Sequence, residues 1–254
     1  MSKMHLLSGF VAMVVAFSAQ AQNPYAEIEA TGASYAQTVK YAGAKPGIAD
    51  FVTAWIGEEP EDELNGTMYE IWQKHLNNKP FDKNQKVTVD AKNGYVCFEI
   101  GDSDDGGSKT IVEMCYWNCS DGKHKVIGHS VQQFYGGKAI QSEFGGIYFG
   151  IYNNDTHKFV YSNGSNLGVD DVKTGMENFS YYGDGNGAYF FENSETGEHK
   201  KITEEEYNKA QEHHPVVTYT LPRTGKNIIA TINNLESGER KVQFVWDGLK
   251  FKQE

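Results

Sequence analysis

The chain has 254 residues and a formal net charge of −11, with Asp and Glu spread along its length and no basic stripe. Such a surface repels a phosphate backbone and an anionic bilayer alike, which excludes nucleic acid as a main partner. Aromatic residues make up 13% of the chain and glycine occurs 27 times beside 6 prolines, a balance that favours strands and tight turns over a helical bundle.

The first residues read MSKMHLLSGFVAMVVAFSAQAQNP. Lys3 precedes an apolar run through Phe17, and Ala19-Gln20-Ala21 is a small-x-small cleavage site, so residues 1–21 have the order of a secretory signal peptide. The apolar core is too short for a comfortable membrane span. The mature chain is expected to begin near Gln22 and to be secreted or periplasmic.

Residues 22–82 read as an N-terminal helical segment. In GIADFVTAWIG, Ile48, Phe51, Val52, Trp55 and Ile56 fall on one helical face, and Gly57 stops it. In DELNGTMYEIWQKHL, Leu64, Met68, Ile71, Trp72, His75 and Leu76 share a second face, ended by Asn77-Asn78-Lys79-Pro80. His75 is expected to be a partly buried histidine rather than a metal ligand.

Residues 83–254 read as an antiparallel β domain. From Lys86 the apolar period becomes two, through Val87/Val89, Val96/Phe98/Ile100 and Val112/Met114/Tyr116. GIYFGIY is apolar on both faces, as in a central strand. AYFFEN, NIIATI and RKVQFVW are further strands. One late helix begins at Thr203, with Glu206 completing a capping box, and Pro215 forbids its continuation. Four stretches share one plan: CYWNCSDGKHKVIG, IYFGIYNNDTHKFVY, YFFENSETGEHKKIT and ATINNLESGERKVQFVW. Each is a strand, an Asn/Asp/Ser/Gly turn, a basic residue and a second strand. Their spacing of roughly forty residues is met in propeller blades, but there are too few strands for one. The fold class is therefore mainly β, an antiparallel meander or sandwich with a small N-terminal helical pair and one late helix.

The three cysteines are Cys97, Cys115 and Cys119. Cys115 and Cys119 are too far apart along a strand to bridge each other without a bulge. The chain is expected to hold one disulfide from Cys97, with Cys115 preferred slightly over Cys119.

Several motifs bear on chemistry. Leu221-Pro222-Arg223-Thr224-Gly225 matches the sortase string L-P-x-T-G, but no apolar segment follows it, so no wall anchoring is expected. DSDDGG offers Asp102, Asp104 and Asp105, and GDGNGAY offers Asp184 and Asn186, as candidate calcium ligands; each loop is also a plain hairpin turn. No other cofactor is indicated. Gly128-His129-Ser130 touches on the nucleophile elbow, yet Gln132 stands where its second glycine belongs. His213-His214 suits a solvated helix end. Glu99, Glu113 and Glu143 are the carboxylates from which a glycosidase pair would be drawn. The candidate ligand-binding rings are Trp117, Tyr135, Tyr148, Tyr152, Tyr181 and Tyr182.

The signal-like N-terminus and the ending LPRTGKNI…VWDGLKF resemble those of small secreted proteins of Bacteroidetes, with Lys226, Trp246, Asp247 and Gly248 as matching positions. That resemblance implies an exported β protein and transfers no functional residue. The expected function is a non-catalytic exported binding protein whose partner is a glycan or another protein. Two alternatives stand beside it. One is a secreted hydrolase using paired carboxylates. The other is a lysozyme-inhibitor-like protein whose acidic DSDDGG loop would oppose a basic enzyme.

Overall fold

The apolar face from Ile48 to Ile56 forms the helix its spacing predicts, and every one of its five large apolar residues is buried. The computed structural model describes residues 23–57, 60, 62–101, 107–235 and 237–254; the signal-like segment lies outside them. In chain order the elements are α1 (Ala26–Gly32), a 3-10 turn (Ala33–Tyr35), β1 (Gln37–Thr38), α2 (Ile48–Ile56), α3 (Glu63–Leu76), β2 (Gln85–Asp90), β3 (Tyr95–Gly101) and β4 (Ser108–Asn118). There follow β5 (His124–Tyr135), β6 (Lys138–Ile140), β7 (Gly146–Asn153), β8 (Lys158–Ser162), a second 3-10 turn (Gly164–Leu167), β9 (Phe179–Gly183), β10 (Tyr189–Asn193) and β11 (Glu198–Ile202). The last elements are α4 (Glu204–Glu212), β12 (Val216–Thr220), β13 (Ile228–Asn233), β14 (Arg240–Trp246) and β15 (Phe251–Gln253). The protein is mainly β, and all strand pairs among the described residues are antiparallel.

Among the described residues the strands form three sheets. The largest runs β1-β8-β7-β5-β4-β3-β2, with β6 also on β5; β12-β13-β14-β15 and β11-β10-β9 are the others. β7, the GIYFGIY stretch, lies inside the large sheet as its two-sided apolarity requires. Gly150 at its centre leaves room for the Phe159 ring, since a Cβ there would stand 2.0 Å from it. The four sequence stretches that share a plan are the hairpins β4–β5, β7–β8, β10–β11 and β13–β14. In two of them an asparagine closes the turn in the same way. Asn153 Oδ1 accepts from the N–H groups of Asp155 and Thr156, and Asn193 Oδ1 from those of Glu195 and Thr196.

The large sheet is covered on both faces. α2 and α3 pack on the side of Val96, Phe98, Val112, Met114 and Ile127. The four-stranded sheet packs on the side of Tyr95, Cys115, Trp117, Val126 and Phe149, bringing Ile228, Phe244, Trp246 and Phe251. The result is helices, sheet and sheet in three layers. Trp72 Nε1 donates to Thr53 Oγ1 at 3.0 Å and ties α3 to α2. His75 stacks on Trp72 at 5.0 Å. α1, which the sequence reading passes over, is anchored by the Tyr25 hydroxyl donating to Leu249 O at 2.6 Å.

The L-P-x-T-G string is a clamp between the sheets. Leu221 N–H donates to Glu113 Oε2 at 2.9 Å and Arg223 Nε to Asp90 Oδ2 at 2.9 Å, while Lys226 O accepts from Trp117 Nε1 at 2.8 Å. Leu221 itself is buried.

The disulfide expectation is corrected: Cys97, Cys115 and Cys119 are all free thiols. The β3–β4 hairpin does form, but its register sets Cys97 across from Glu113 and Cys115 across from Tyr95. The two cysteines are thus diagonal neighbours, a spacing of about 7–8 Å that a bridge does not cover. Cys119 lies past the end of β4, with its Sγ 3.2 Å from the Tyr25 hydroxyl.

Candidate ligand site

Tyr148, Gly150 and Tyr152 alternate onto the helix-facing side of β7, and α2 decides what becomes of them. Phe51, near the middle of α2, meets Tyr152 edge to face at 5.2 Å, and Tyr152 is fully buried. One turn on, Trp55 stacks on His129 at 4.9 Å, and His129 in turn meets Tyr148 at 5.8 Å. There the helix stops, because Gly57 takes φ +76°. With no further turn to cover it, Tyr148 is 41% exposed. Tyr161 on β8 leans its ring edge on Trp55 at 5.1 Å and is 46% exposed.

A third ring comes from the chain that follows α1. Gly32 lets α1 close directly on β8, since a Cβ there would stand 2.9 Å from Val160 Cβ. The 3-10 turn then leaves Tyr35 79% exposed. β1 pairs with Phe159 and Lys158 of β8 alone among the described residues. The three tyrosines line one groove of about 640 Å³ together with Glu27, Thr31, Ser162, Asn163 and Asn166. Its lining alternates flat rings with hydroxyls and carboxamides, and Glu27 is its single charge. Burial raises the Tyr148 and Tyr161 phenols above the ordinary tyrosine range, so both remain neutral O–H groups at physiological pH. A groove of this size and polarity suits a neutral amphipathic ligand of small-molecule dimensions.

Of the expected ligand-binding rings, Tyr148 alone reaches this groove. Trp117 and Tyr152 are corrected to core residues: Trp117 packs on Phe251 at 5.0 Å and Trp246 at 6.1 Å, and Tyr152 lies under α2. Tyr135 is exposed at the end of β5. Tyr182 is exposed on the outer face of β9, with its hydroxyl 2.9 Å from His199 Nε2. Tyr181 lines a separate groove under α4. Tyr35, Tyr161, Asn163 and Asn166 are missed by sequence reasoning. The aromatic-rich IYFGIYNNDTHKFVY hairpin held the signal for Tyr161; Tyr35 carried none.

The candidate calcium ligands Asp102, Asp104 and Asp105 lie outside the described residues. Asp184 Oδ1 accepts from the N–H groups of Asn186 and Ala188, which holds its carboxyl below the usual range and commits that oxygen to the turn. Among the described residues no group of three or more His, Cys, Asp or Glu is placed to hold a metal.

The carboxylates do not form a facing pair in a cleft. Glu113 is buried between the sheets, where it accepts from Tyr95 Oη at 2.5 Å, Gln132 Nε2 at 3.3 Å and Leu221 N–H at 2.9 Å. Burial pushes its pKa up against the pull of the Tyr95 and Leu221 donors. Glu99 is held by Lys109 and Lys86 at 2.8 and 2.6 Å, which lower its pKa. Glu143 is exposed before β7. Ser130 sits inside β5 opposite Glu113, so no strand-turn-helix elbow forms. A cysteine, histidine and aspartate do gather at the β4–β5 turn, yet not as a nucleophilic triad. His124 Nδ1 meets Asp121 at 2.6 Å, but its Nε2 turns to Glu29 at 3.2 Å. Burial pushes the Cys119 thiol up to about 11, which leaves it a poor nucleophile.

No protein-family model, no curated protein and no solved structure matches the chain. No helix among the described residues is long and apolar enough to cross a membrane.

Proposed function

We propose that the chain is an exported, non-catalytic glycan-binding protein and that the tyrosine groove is its binding site. The observation that carries this reading is the convergence of Tyr35, Tyr148 and Tyr161 on one groove whose polar lining is almost uncharged. A sugar ring presents an apolar C–H face and a rim of hydroxyls. Exposed aromatic rings take the first, and Asn163, Asn166, Ser162 and Thr31 take the second. A groove of about 640 Å³ falls within the ~300–1,000 Å³ of concave small-molecule sites and is scaled to a short saccharide. Export rests on the N-terminal signal-like order. The test is a panel of neutral and acidic oligosaccharides on a glycan array, followed by calorimetry on the hits. Neutral oligosaccharides should bind, and replacing Tyr148 or Tyr161 by Ala should weaken them roughly 3–10-fold, the ~0.5–1.5 kcal/mol of one aromatic contact. Binding confined to acidic glycans, or indifferent to both substitutions, would overturn the reading.

A further inference from the structure

The sheet β9–β11 and α4 form a second packed unit whose two layers do not match in bulk. The inner face of the sheet offers Phe179, Tyr181, Phe191 and Ile202, with Phe179 and Tyr181 packed on Phe191 at 5.9 and 5.2 Å. α4 reads EEEYNKAQE and has no buried residue. Its Tyr207 is already stacked on Tyr189 at 4.5 Å. What α4 sets over the three rings is chiefly Ala210, a single methyl group. The space left is a groove of about 440 Å³, within the range of small-molecule sites.

The rim of this groove is richer in basic residues than the molecule as a whole. In a chain of net charge −11, it gathers Lys200, Lys209 and His213 against the single acid Glu206. The Glu206 carboxylate is turned to its own helix end, accepting from Thr203 N–H at 2.7 Å and Thr203 Oγ1 at 3.0 Å. Lys200 lies over the Phe191 ring at 4.9 Å and pairs with Glu198 at 3.2 Å, so its ammonium sits beside the apolar floor already matched by one carboxylate. Lys209 makes no ion pair among the described residues.

We propose that this groove binds a small hydrophobic carboxylate, its apolar body on Phe179, Tyr181 and Phe191 and its charge met by Lys209, the rim lysine left without an ion pair among the described residues. Aromatic floor and cationic rim together select an anion with an apolar tail over a neutral or cationic molecule of the same tail. The site is independent of the tyrosine groove.

The experiment is calorimetric titration of the full chain with decanoate, with decan-1-ol and decyltrimethylammonium as charge controls. Decanoate should saturate one site and bind at least tenfold more tightly than either control. Ala210→Phe, which fills the space, should weaken decanoate at least tenfold, and so should Lys209→Glu, a surface change that leaves the fold intact. Tyr35→Ala should leave decanoate binding unchanged. The proposal is overturned by equal affinity for the three ligands, by the absence of saturable decanoate binding, or by decanoate binding unaltered in Lys209→Glu. If Ala210→Phe melts far below the wild-type chain, the Lys209→Glu titration decides alone.

Discussion

Between the two sheets, Trp117, Trp246 and Phe251 pack on one another with centroids 4.8 to 6.1 Å apart, each buried. At the end of α2, Tyr35, Tyr148 and Tyr161 are each more than 40% exposed around one groove. The two clusters draw on the same kind of side chain. The first is enclosed because the four-stranded sheet lies over it; the second is open because a helix ends at Gly57 and β1 covers only two residues of β8. Rings held open by the ending of covering elements are available to a ligand, whereas enclosed rings serve stability. Substitutions should therefore separate the two clusters cleanly.

The largest effect is expected in the enclosed cluster. Trp117→Ala removes a buried ring and strands Lys226 O, and should cost about 3–5 kcal/mol in denaturant unfolding. A loss below about 1 kcal/mol would mean that the inter-sheet core is not packed as described.

Next comes Glu113, the buried acid beside that core. Glu113→Ala leaves the Tyr95 hydroxyl and Leu221 N–H without their acceptor and should cost roughly 2–4 kcal/mol. Its pH dependence has a definite sign. The folded-state pKa is raised above the unfolded one, so the folded chain holds this proton more tightly. Its contribution is complete below the ordinary glutamate pKa and is lost as pH rises through the raised value. The melting-temperature difference between wild type and Glu113→Gln should therefore move in favour of wild type as pH falls through that window.

His129 gives a smaller effect of the opposite kind. It lies one register position from Glu113 on the other face of the sheet, paired with Met114, and neither ring nitrogen has a hydrogen-bond partner among the described residues. Burial pushes its pKa down to about 3. Here the folded-state pKa is depressed, so stability is lost as pH falls from the ordinary histidine value toward the folded one. His129→Leu should stabilise by about 1 kcal/mol at neutral pH and flatten that acid loss in thermal melts. A destabilised Leu variant would show that the imidazole nitrogens are satisfied in solution.

The smallest effect on stability belongs to the open cluster. Tyr35→Ala should change unfolding free energy by less than about 0.5 kcal/mol, because the ring is 79% exposed.

How much of this was legible in the sequence follows from which forces are local. The face of α2, its stop at Gly57, the Thr203–Glu206 capping box and the four hairpins are set by residues within a few positions of each other, and the sequence shows them all. α1 and β1 were not visible: AEIEATG is seven residues long and shows no apolar stripe, and a two-residue strand has no period. The register of β3 on β4 was equally hidden, and with it the Cys97 offset from Cys115. The groove was hidden for a similar reason. Tyr148 and Tyr152 are equivalent in sequence pattern, four positions apart on one face of one strand. Only the end of a distant helix makes one a surface ring and the other core. The residues that build the site come from α1 and the 3-10 turn after it, from β7, and from β8 and the segment that follows it, which only the fold brings together.

The most direct test of the open-cluster claim is ¹⁹F NMR of the full chain labelled with 3-fluorotyrosine, titrated with a neutral oligosaccharide that binds. The predicted result is saturable shifts at Tyr35, Tyr148 and Tyr161, assigned by substitution, while the Tyr152 signal and those of Tyr135 and Tyr182 stay in place. Shifts confined to Tyr135 or Tyr182, with the three groove tyrosines silent at saturation, would contradict the account.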